Sequence, residues 1–150
     1  MTVKPRANDA CAPNSKSRID KLGVKPGQDV LLLGIEGDAV FMEELRQRGA
    51  RVRTTGGNQV EAIFAVFRHR DDLRRLAPLV PRLQADGTLW TLRPKGSKDL
   101  TEQEMMRAGH TAGLVDVKVV SFSAELTAEK FVIPVAKRAA LRARASRRNP

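Results

Sequence analysis

The stretch Asp29-Val30-Leu31-Leu32-Leu33-Gly34-Ile35-Glu36-Gly37-Asp38 decides the fold of this 150-residue chain. Four apolar residues run without interruption into a turn that contains two glycines. An apolar run bounded by glycine is typical of a strand that is buried on both faces, as in a parallel sheet. Apolar residues four apart, Phe41 and Leu45, follow Asp38 and indicate a helix. The stretch therefore predicts a strand, a turn and a helix whose N-terminus lies where such sheets bind ligands.

The rest of the chain repeats this alternation. Further strands are predicted at residues 50–54, 62–67, 88–92, 115–122 and 130–135. A helical segment starting at Asp71 or Asp72 is expected to be broken by Pro78 and Pro81, which cannot donate the helical hydrogen bond. Thr101 and Glu104 have the spacing of a capping box, which predicts another helix. We therefore predict an α/β fold: a small Rossmann-like, mostly parallel sheet with helices on both faces and a C-terminal antiparallel hairpin.

The composition is that of an ordinary globular protein, with 41% apolar and 29% charged residues. The apolar runs are too short to cross a bilayer, and the N-terminus lacks the apolar segment of a signal peptide. We therefore expect a cytoplasmic protein without a membrane partner. Cys11 is the only cysteine, so it cannot form an intramolecular disulfide; it is either a reactive thiol or incidental.

The net charge of +10 is concentrated at the two ends of the chain. Residues 1–16 are expected to form a disordered leader, and residues 17–136 to form the Rossmann-like domain. Residues 137–150 form a basic tail rich in Ala and Arg, either helical or disordered. Its six cations are Lys137, Arg138, Arg142, Arg144, Arg147 and Arg148, and it contains no acidic residue. The tail either contacts nucleic-acid phosphates or only solubilises the chain.

The turn from Gly34 to Asp38 is the first candidate binding site, because helix N–H groups attract anions and nucleotides. Its two acidic residues, Glu36 and Asp38, repel phosphate, so a simple turn with Asp38 capping the helix is the alternative. The loop from Thr54 to Asn58 is expected beside this turn, at the carboxyl ends of the strands.

Three further residues are candidates on the same edge of the sheet. His69 follows the third strand and is a candidate acid or base, against the alternative of a solvated strand end. Arg93 and Lys95 leave the fourth strand, where they either hold an anionic ligand or form a charged surface loop. Trp90 is expected in the core. One cysteine and two distant histidines do not predict a metal site.

Three segments resemble class I methyltransferases. Lys21–Gly27 with Val30–Gly34 is similar to the approach to their first strand and the strand itself. Leu83–Trp90 is similar to a later glycine-then-strand element, and Gly113–Val119 to the entry of their final hairpin. The arrangement is closest to a family of small bacterial proteins known only as a domain of unknown function. The resemblance implies a fold and brings no established reaction.

The sequence departs from the methyltransferase pattern at the cofactor site. Those enzymes carry Gly-x-Gly-x-Gly after the first strand, whereas this chain has only Gly34 and Gly37, with Glu36 between them. Thr54 and Thr55 stand where the resemblance implies an acid for the ribose of S-adenosylmethionine. Only about seven residues separate the second and third strands. A strand-helix unit is therefore missing, and the cofactor site is expected to be lost or altered.

These observations lead to three hypotheses about function. The first is a non-catalytic Rossmann-like binding or regulatory protein with a degenerate methyltransferase-type site and no bound cofactor. The second is an S-adenosylmethionine-dependent methyltransferase with an atypical pocket, in which Gly34, Gly37, Asp38 and His69 line one cleft. The third is a nucleic-acid-associated protein that binds through its basic tails. Only the second makes the chain an enzyme.

Overall fold

The computed structural model describes residues 17–56 and 58–148, with side chains as far as residue 143. These residues form one six-stranded sheet of β1 (Asp29–Leu33), β2 (Arg51–Arg53), β3 (Val60–Val66), β4 (Leu83–Pro94), β5 (Val115–Ser121) and β6 (Leu126–Val132). The helices are α1 (Arg18–Lys21), α2 (Ala39–Arg48), α3 (Leu76–Leu79), α4 (Glu102–Thr111) and α5 (Val135–Arg148). Two 3₁₀ helices, Arg70–Arg75 and Val80–Arg82, flank α3.

The strand order is β2-β1-β3-β4-β6-β5. The first four strands in this order are parallel, and β6 pairs antiparallel with both β4 and β5. The predicted mixed sheet with a C-terminal antiparallel hairpin is confirmed. The β4 strand begins earlier than expected, because Leu83 already pairs with Val60. The register shifts after this pair, and regular pairing resumes at Thr88.

The capping residues set where the helices begin. The side chain of Ser17 accepts a hydrogen bond from Asp20, and that of Asp38 accepts one from Phe41 at 3.0 Å. Thr101 and Glu104 form the predicted capping box of α4. These caps satisfy backbone N–H groups that have no partner within the first turn.

Apolar side chains fill both faces of the sheet. On the first face, Phe41 and Leu45 of α2 pack on Val30, Leu32 and other strand residues. On the second face, α3 and α4 cover a separate cluster that includes Leu31 and Phe131. Trp90 is 1% exposed and belongs to the first cluster, as expected of a core residue.

The helix α4 lies close to the second face because Gly109 has no side chain. A Cβ atom built on Gly109 would lie 2.2 Å from Cε1 of Phe131. Gly109 and Phe131 are both buried. The glycine therefore fixes the distance between α4 and the sheet, and with it the position of the loop that precedes α4.

The connection from β2 to β3 contains no helix. The β2 strand has three residues, and residues 54–59 carry the chain past β1 to β3. Arg53, the last residue of β2, pairs with Leu31, two residues before the end of β1. The helix expected between successive parallel strands is missing at this one place, as the short spacing in the sequence indicates.

Candidate functional site at the carboxyl ends of the strands

The strand order reverses direction between β1 and β3, because β2 pairs with the other edge of β1. In open α/β sheets, ligands bind in the crevice outside the carboxyl ends of the strands at such a reversal. Gly34 follows β1 there with φ of +86°, and its Cβ position would lie 3.2 Å from Cβ of Val66, the last residue of β3. Glycine is required here by both the left-handed backbone and the close approach of the neighbouring strand.

The turn from Gly34 to Asp38 is held in place from both ends. Ile35 is buried, and its carbonyl accepts a hydrogen bond from the backbone of Asp38 at 3.1 Å. The carboxylate of Asp38 is already engaged in capping α2. Glu36 and Gly37 are exposed. The turn therefore has one exposed acidic residue, Glu36, in addition to the capping residue Asp38.

The loop after β2 does not stay beside this turn. The guanidinium of Arg82 donates to the carbonyl of Gly56, and the side chain of Gln84 donates to the carbonyl of Gln59 at 2.9 Å. Arg82 and Gln84 flank the beginning of β4, so Gly56 and Gln59 lie near the amino end of that strand. The expected position of this part of the loop is therefore wrong. Thr54 and Thr55 precede it and are exposed, and their role in cofactor binding stays a prediction.

His69 lies on the predicted edge of the sheet, in a small cleft that Arg70, Asp71 and Asp99 also line. Its Nδ1 atom lies 3.8 Å from Oδ2 of Asp99, and both side chains are largely exposed. Asp72 accepts hydrogen bonds from the backbone N–H groups of Arg68 and His69, which lower the pKa of its carboxyl. These bonds fix the backbone at His69.

Arg93 is buried inside β4 and does not belong to a charged surface loop. Its Nη2 and Nε atoms lie 2.7 and 2.9 Å from Oε2 of Glu129, and its Nη1 donates to the carbonyl of Leu100. The hydroxyl of Thr91 donates to the other oxygen of Glu129 at 3.1 Å. Burial raises the pKa of Glu129, and the contacts with Arg93 and Thr91 act in the opposite direction. The arginine therefore already has a carboxylate partner.

Lys95 is exposed and donates from Nζ to the hydroxyl of Ser121 at 2.7 Å. Lys95 lies just beyond the last residue of β4, whereas Arg93 is buried within the strand, so the two cations do not form one site. Sequence reasoning missed Glu129 and Asp99, the acidic partners of Arg93 and His69. Glu129 lies just before the predicted strand 130–135, because β6 begins earlier, at Leu126, and nothing in the sequence pairs Glu129 with Arg93.

The basic tail forms helix α5 and packs against the domain. Arg138 donates to the carbonyl of Ile133 at 2.8 Å, and Arg142 pairs with Asp86. Leu141 packs against the cluster on the second face. Arg138 and Arg142 thus contact the domain, and Nζ of Lys137 lies close to Gly113, whereas the side chains of Arg144, Arg147 and Arg148 lie outside the described ones. The leader and Cys11 also lie outside the described residues.

Solved structures with a similar chain path show which fold this is. A methyltransferase from Aquifex aeolicus that depends on S-adenosylmethionine is 16% identical, with a TM-score of 0.60, over 77% of this chain and 87% of that one. A putative methyltransferase from Haloferax volcanii, in complex with the activator Trm112, is 12% identical with a TM-score of 0.58, over 78% and 87%. The chain has the methyltransferase fold.

A third methyltransferase-fold structure was solved with S-adenosylhomocysteine. CalO1, a methyltransferase of calicheamicin biosynthesis, is 14% identical with a TM-score of 0.58, over 77% of this chain and 52% of that one. Identities this low establish the fold alone. No family model matches the sequence, and no curated protein matches it either. Within the described residues, no helix is long and apolar enough to span a membrane.

Proposed function

We propose that this chain is a Rossmann-like binding or regulatory protein that has kept the methyltransferase fold and altered the cofactor site. The proposal depends on one observation, the direct connection from β2 to β3. The resemblance implies a strand, a helix and an acidic residue on this side of β1. In their place the chain has three strand residues, six connecting residues and two exposed threonines.

The loss falls where the cofactor ribose would be held. An acidic side chain at the end of the second strand binds ribose hydroxyls in dinucleotide-binding sheets as well. Arg53 and Thr54 occupy this position, and the chain then turns towards the amino end of β4. The one exposed carboxylate of the neighbouring turn, Glu36, belongs to the helix side and does not replace the missing acid.

The second candidate is a methyltransferase with an atypical pocket, and the geometry of Gly34 supports it. Gly34 is exposed and has no side chain, so a ligand at the end of β1 can approach its backbone closely. If S-adenosylmethionine binds, Gly34, Gly37 and Asp38 would hold its amino-acid part. The same bound cofactor would supply a methyl group, and His69, with Asp99 beside it, would be the residue that accepts a proton from a substrate.

The experiment is a titration of the purified protein with S-adenosylmethionine and S-adenosylhomocysteine. Binding is measured by calorimetry and by the change in melting temperature. NAD and ATP serve as controls for general nucleotide binding. A ligand at about 100 times its Kd stabilises a protein by about 2.7 kcal/mol, which is a shift of several degrees in a chain of this size. The binding or regulatory proposal expects no shift with either methyl-donor compound.

A gain-of-function variant makes this negative result informative. Thr54→Asp adds the missing acid at the end of β2, and Thr55→Asp adds the same charge one residue later. If only the acid has been lost, Thr54→Asp alone confers measurable binding of S-adenosylmethionine. Binding by the unaltered protein, weakened by Gly34→Ala, would contradict the proposal and establish the methyltransferase candidate. A rise in melting temperature with NAD or ATP alone would show that the crevice binds nucleotides but does not bind S-adenosylmethionine.

A further inference from the structure

A second cleft lies on the other side of the molecule from helix α2, between the 3₁₀ helix Arg70–Arg75 with α3 and the neighbouring helix α4. Its volume is about 400 Å³. The two walls run side by side over the second face of the sheet, whereas the Gly34 turn leads into α2 on the first face. Small-molecule sites in proteins have volumes of about 300–1,000 Å³, and this cleft falls in that range.

The floor of the cleft is apolar and its walls are made of small side chains. Leu76 lies at the bottom and is 1% exposed, and Leu73 is half-buried beside it. Ala77 of α3 lines one wall; Ala108 of α4 and Ala112, the C-cap residue of α4, line the other. Ala108 and Ala112 are four residues apart, so they lie on the same side of α4. Methyl groups at these three positions leave space that longer side chains would fill.

The charges around the cleft are mostly positive. Arg70 and Glu104, which both line the cleft, form an ion pair with each other. Arg70 also donates to the carbonyl of Lys98. Arg74 and Arg107 line the walls, one from each side. Within the described part of the chain, neither has an ion pair or a hydrogen bond with another residue. The cleft therefore has two uncompensated guanidinium groups above an apolar floor.

We propose that this cleft binds a small organic carboxylate with an apolar body, such as a medium-chain fatty acid. The hydrocarbon covers Leu73 and Leu76, and the carboxylate lies between Arg74 and Arg107. Guanidinium groups bind carboxylates through paired, charge-assisted hydrogen bonds, which are stronger than neutral ones. None of the residues that line this cleft belongs to the Gly34 turn or to β2, and the cleft shares only Arg70 with the cleft of His69.

The ligand class follows from the combination of charge and size. A purely polar anion would leave the apolar floor wet, and an uncharged apolar molecule would leave both arginines without a partner. On the α4 side the lining of the cleft runs from Glu104 to Ala112, which is about 12 Å at 1.5 Å per residue. A chain of about ten carbon atoms matches this length, whereas an extended protein segment would extend beyond both ends.

The test is calorimetric titration of the full chain with sodium decanoate at low ionic strength, below its micelle concentration. Decylammonium has the same tail with the opposite charge, and acetate has the same head without the tail. We expect binding of decanoate and no measurable binding of the other two. The double substitution Arg74→Gln and Arg107→Gln should raise the Kd about tenfold or more, since it removes charge-assisted contacts. Ala108→Leu should abolish binding by filling the cleft.

Matched substitutions elsewhere serve as controls. Arg53→Gln removes an exposed arginine from β2, and Ala39→Leu adds the same apolar bulk at the start of α2. Both should leave the Kd unchanged. Backbone NMR shifts on addition of decanoate to the unaltered protein should be largest at Ala108 and Ala112, which tests the location without any substitution. Absence of binding, equal binding of decylammonium, or shifts confined to another surface would overturn the proposal.

Discussion

The two halves of the sheet differ in the length of their strands and in how closely helices cover them. On one side, β2 has three residues, Arg51 and Arg53 are exposed, and the next connection contains no helix. On the other side, β4 pairs with β6 over the seven positions from Thr88 to Pro94, and α4 lies tightly on Phe131. We refer to these as the β2 side and the hairpin side.

The difference shows that the reduced part of the fold coincides with the part that would hold a cofactor. The two buried clusters are complete without a further strand on the outer side of β2. The helix α2 covers one face of β1 and β3, and α3 and α4 cover the other. We expect the hairpin side to contribute more to stability than the β2 side.

The largest effect is expected from Glu129→Ala on the hairpin side. Glu129 is fully buried and holds the guanidinium of Arg93, which is 6% exposed. Removing one partner of a buried ion pair leaves the other charge without compensation and costs about 3–5 kcal/mol. The free energy of unfolding, measured by urea denaturation at neutral pH, should fall by this amount.

Two further variants separate the charge from the packing. Replacing both partners with leucine removes both charges together and should restore most of the lost stability. Arg142→Ala breaks an exposed ion pair with Asp86 and should change the stability little. If Glu129→Ala is no more harmful than Arg142→Ala, the ion pair does not hold the hairpin side together.

The next effect is expected from Gly109→Ala in α4. Alanine favours helix by about 1 kcal/mol over glycine, but its methyl group would overlap the ring of Phe131. Overpacking of a core costs about 1–3 kcal/mol, so we expect a net loss of up to about 2 kcal/mol in the same denaturation experiment.

A second-site substitution tests the cause of that loss. Phe131→Leu in the Gly109→Ala background should cost less than Phe131→Leu alone, because the smaller side chain leaves room for the new methyl group. Gln103→Ala, at an exposed position of α4, provides the control for helix propensity. A stabilised Gly109→Ala protein would show that α4 moves away from the sheet at little cost.

Local patterns were sufficient to predict most of the fold. The apolar runs, the caps at Asp38 and Thr101 and the prolines after Leu76 each act within a few residues. Their effects on strand and helix boundaries are therefore readable from the sequence. The sequence does not decide between helix and disorder for the tail, since an Ala/Arg-rich segment has helical propensity without an obvious apolar stripe. The contact of Arg142 with Asp86 depends on the folded sheet.

The candidate site was harder to predict because its contacts join distant parts of the chain. Arg93 and Glu129 are 36 residues apart, and their pairing depends on the register of β4 with β6. His69 and Asp99 come from loops after different strands. Gly56 was expected at the carboxyl ends of the strands. It lies instead at the amino end of β4, because Arg82, 26 residues away, binds its carbonyl.

The smallest effect concerns the β2 side and compares two glycines with left-handed backbones. Gly34 has φ of +86° and lies against Val66, whereas Gly23 has φ of +69° and nothing within 4 Å of its Cβ position. Alanine should cost about 1 kcal/mol at Gly23 from the backbone alone. It should cost a few tenths more at Gly34, where Val66 must also move, as measured by urea denaturation of both variants. Equal losses would mean that Val66 gives way freely. The ends of β1 and β3 would then be loosely packed, and the crevice between them could widen around a ligand although its ribose-binding acid is missing.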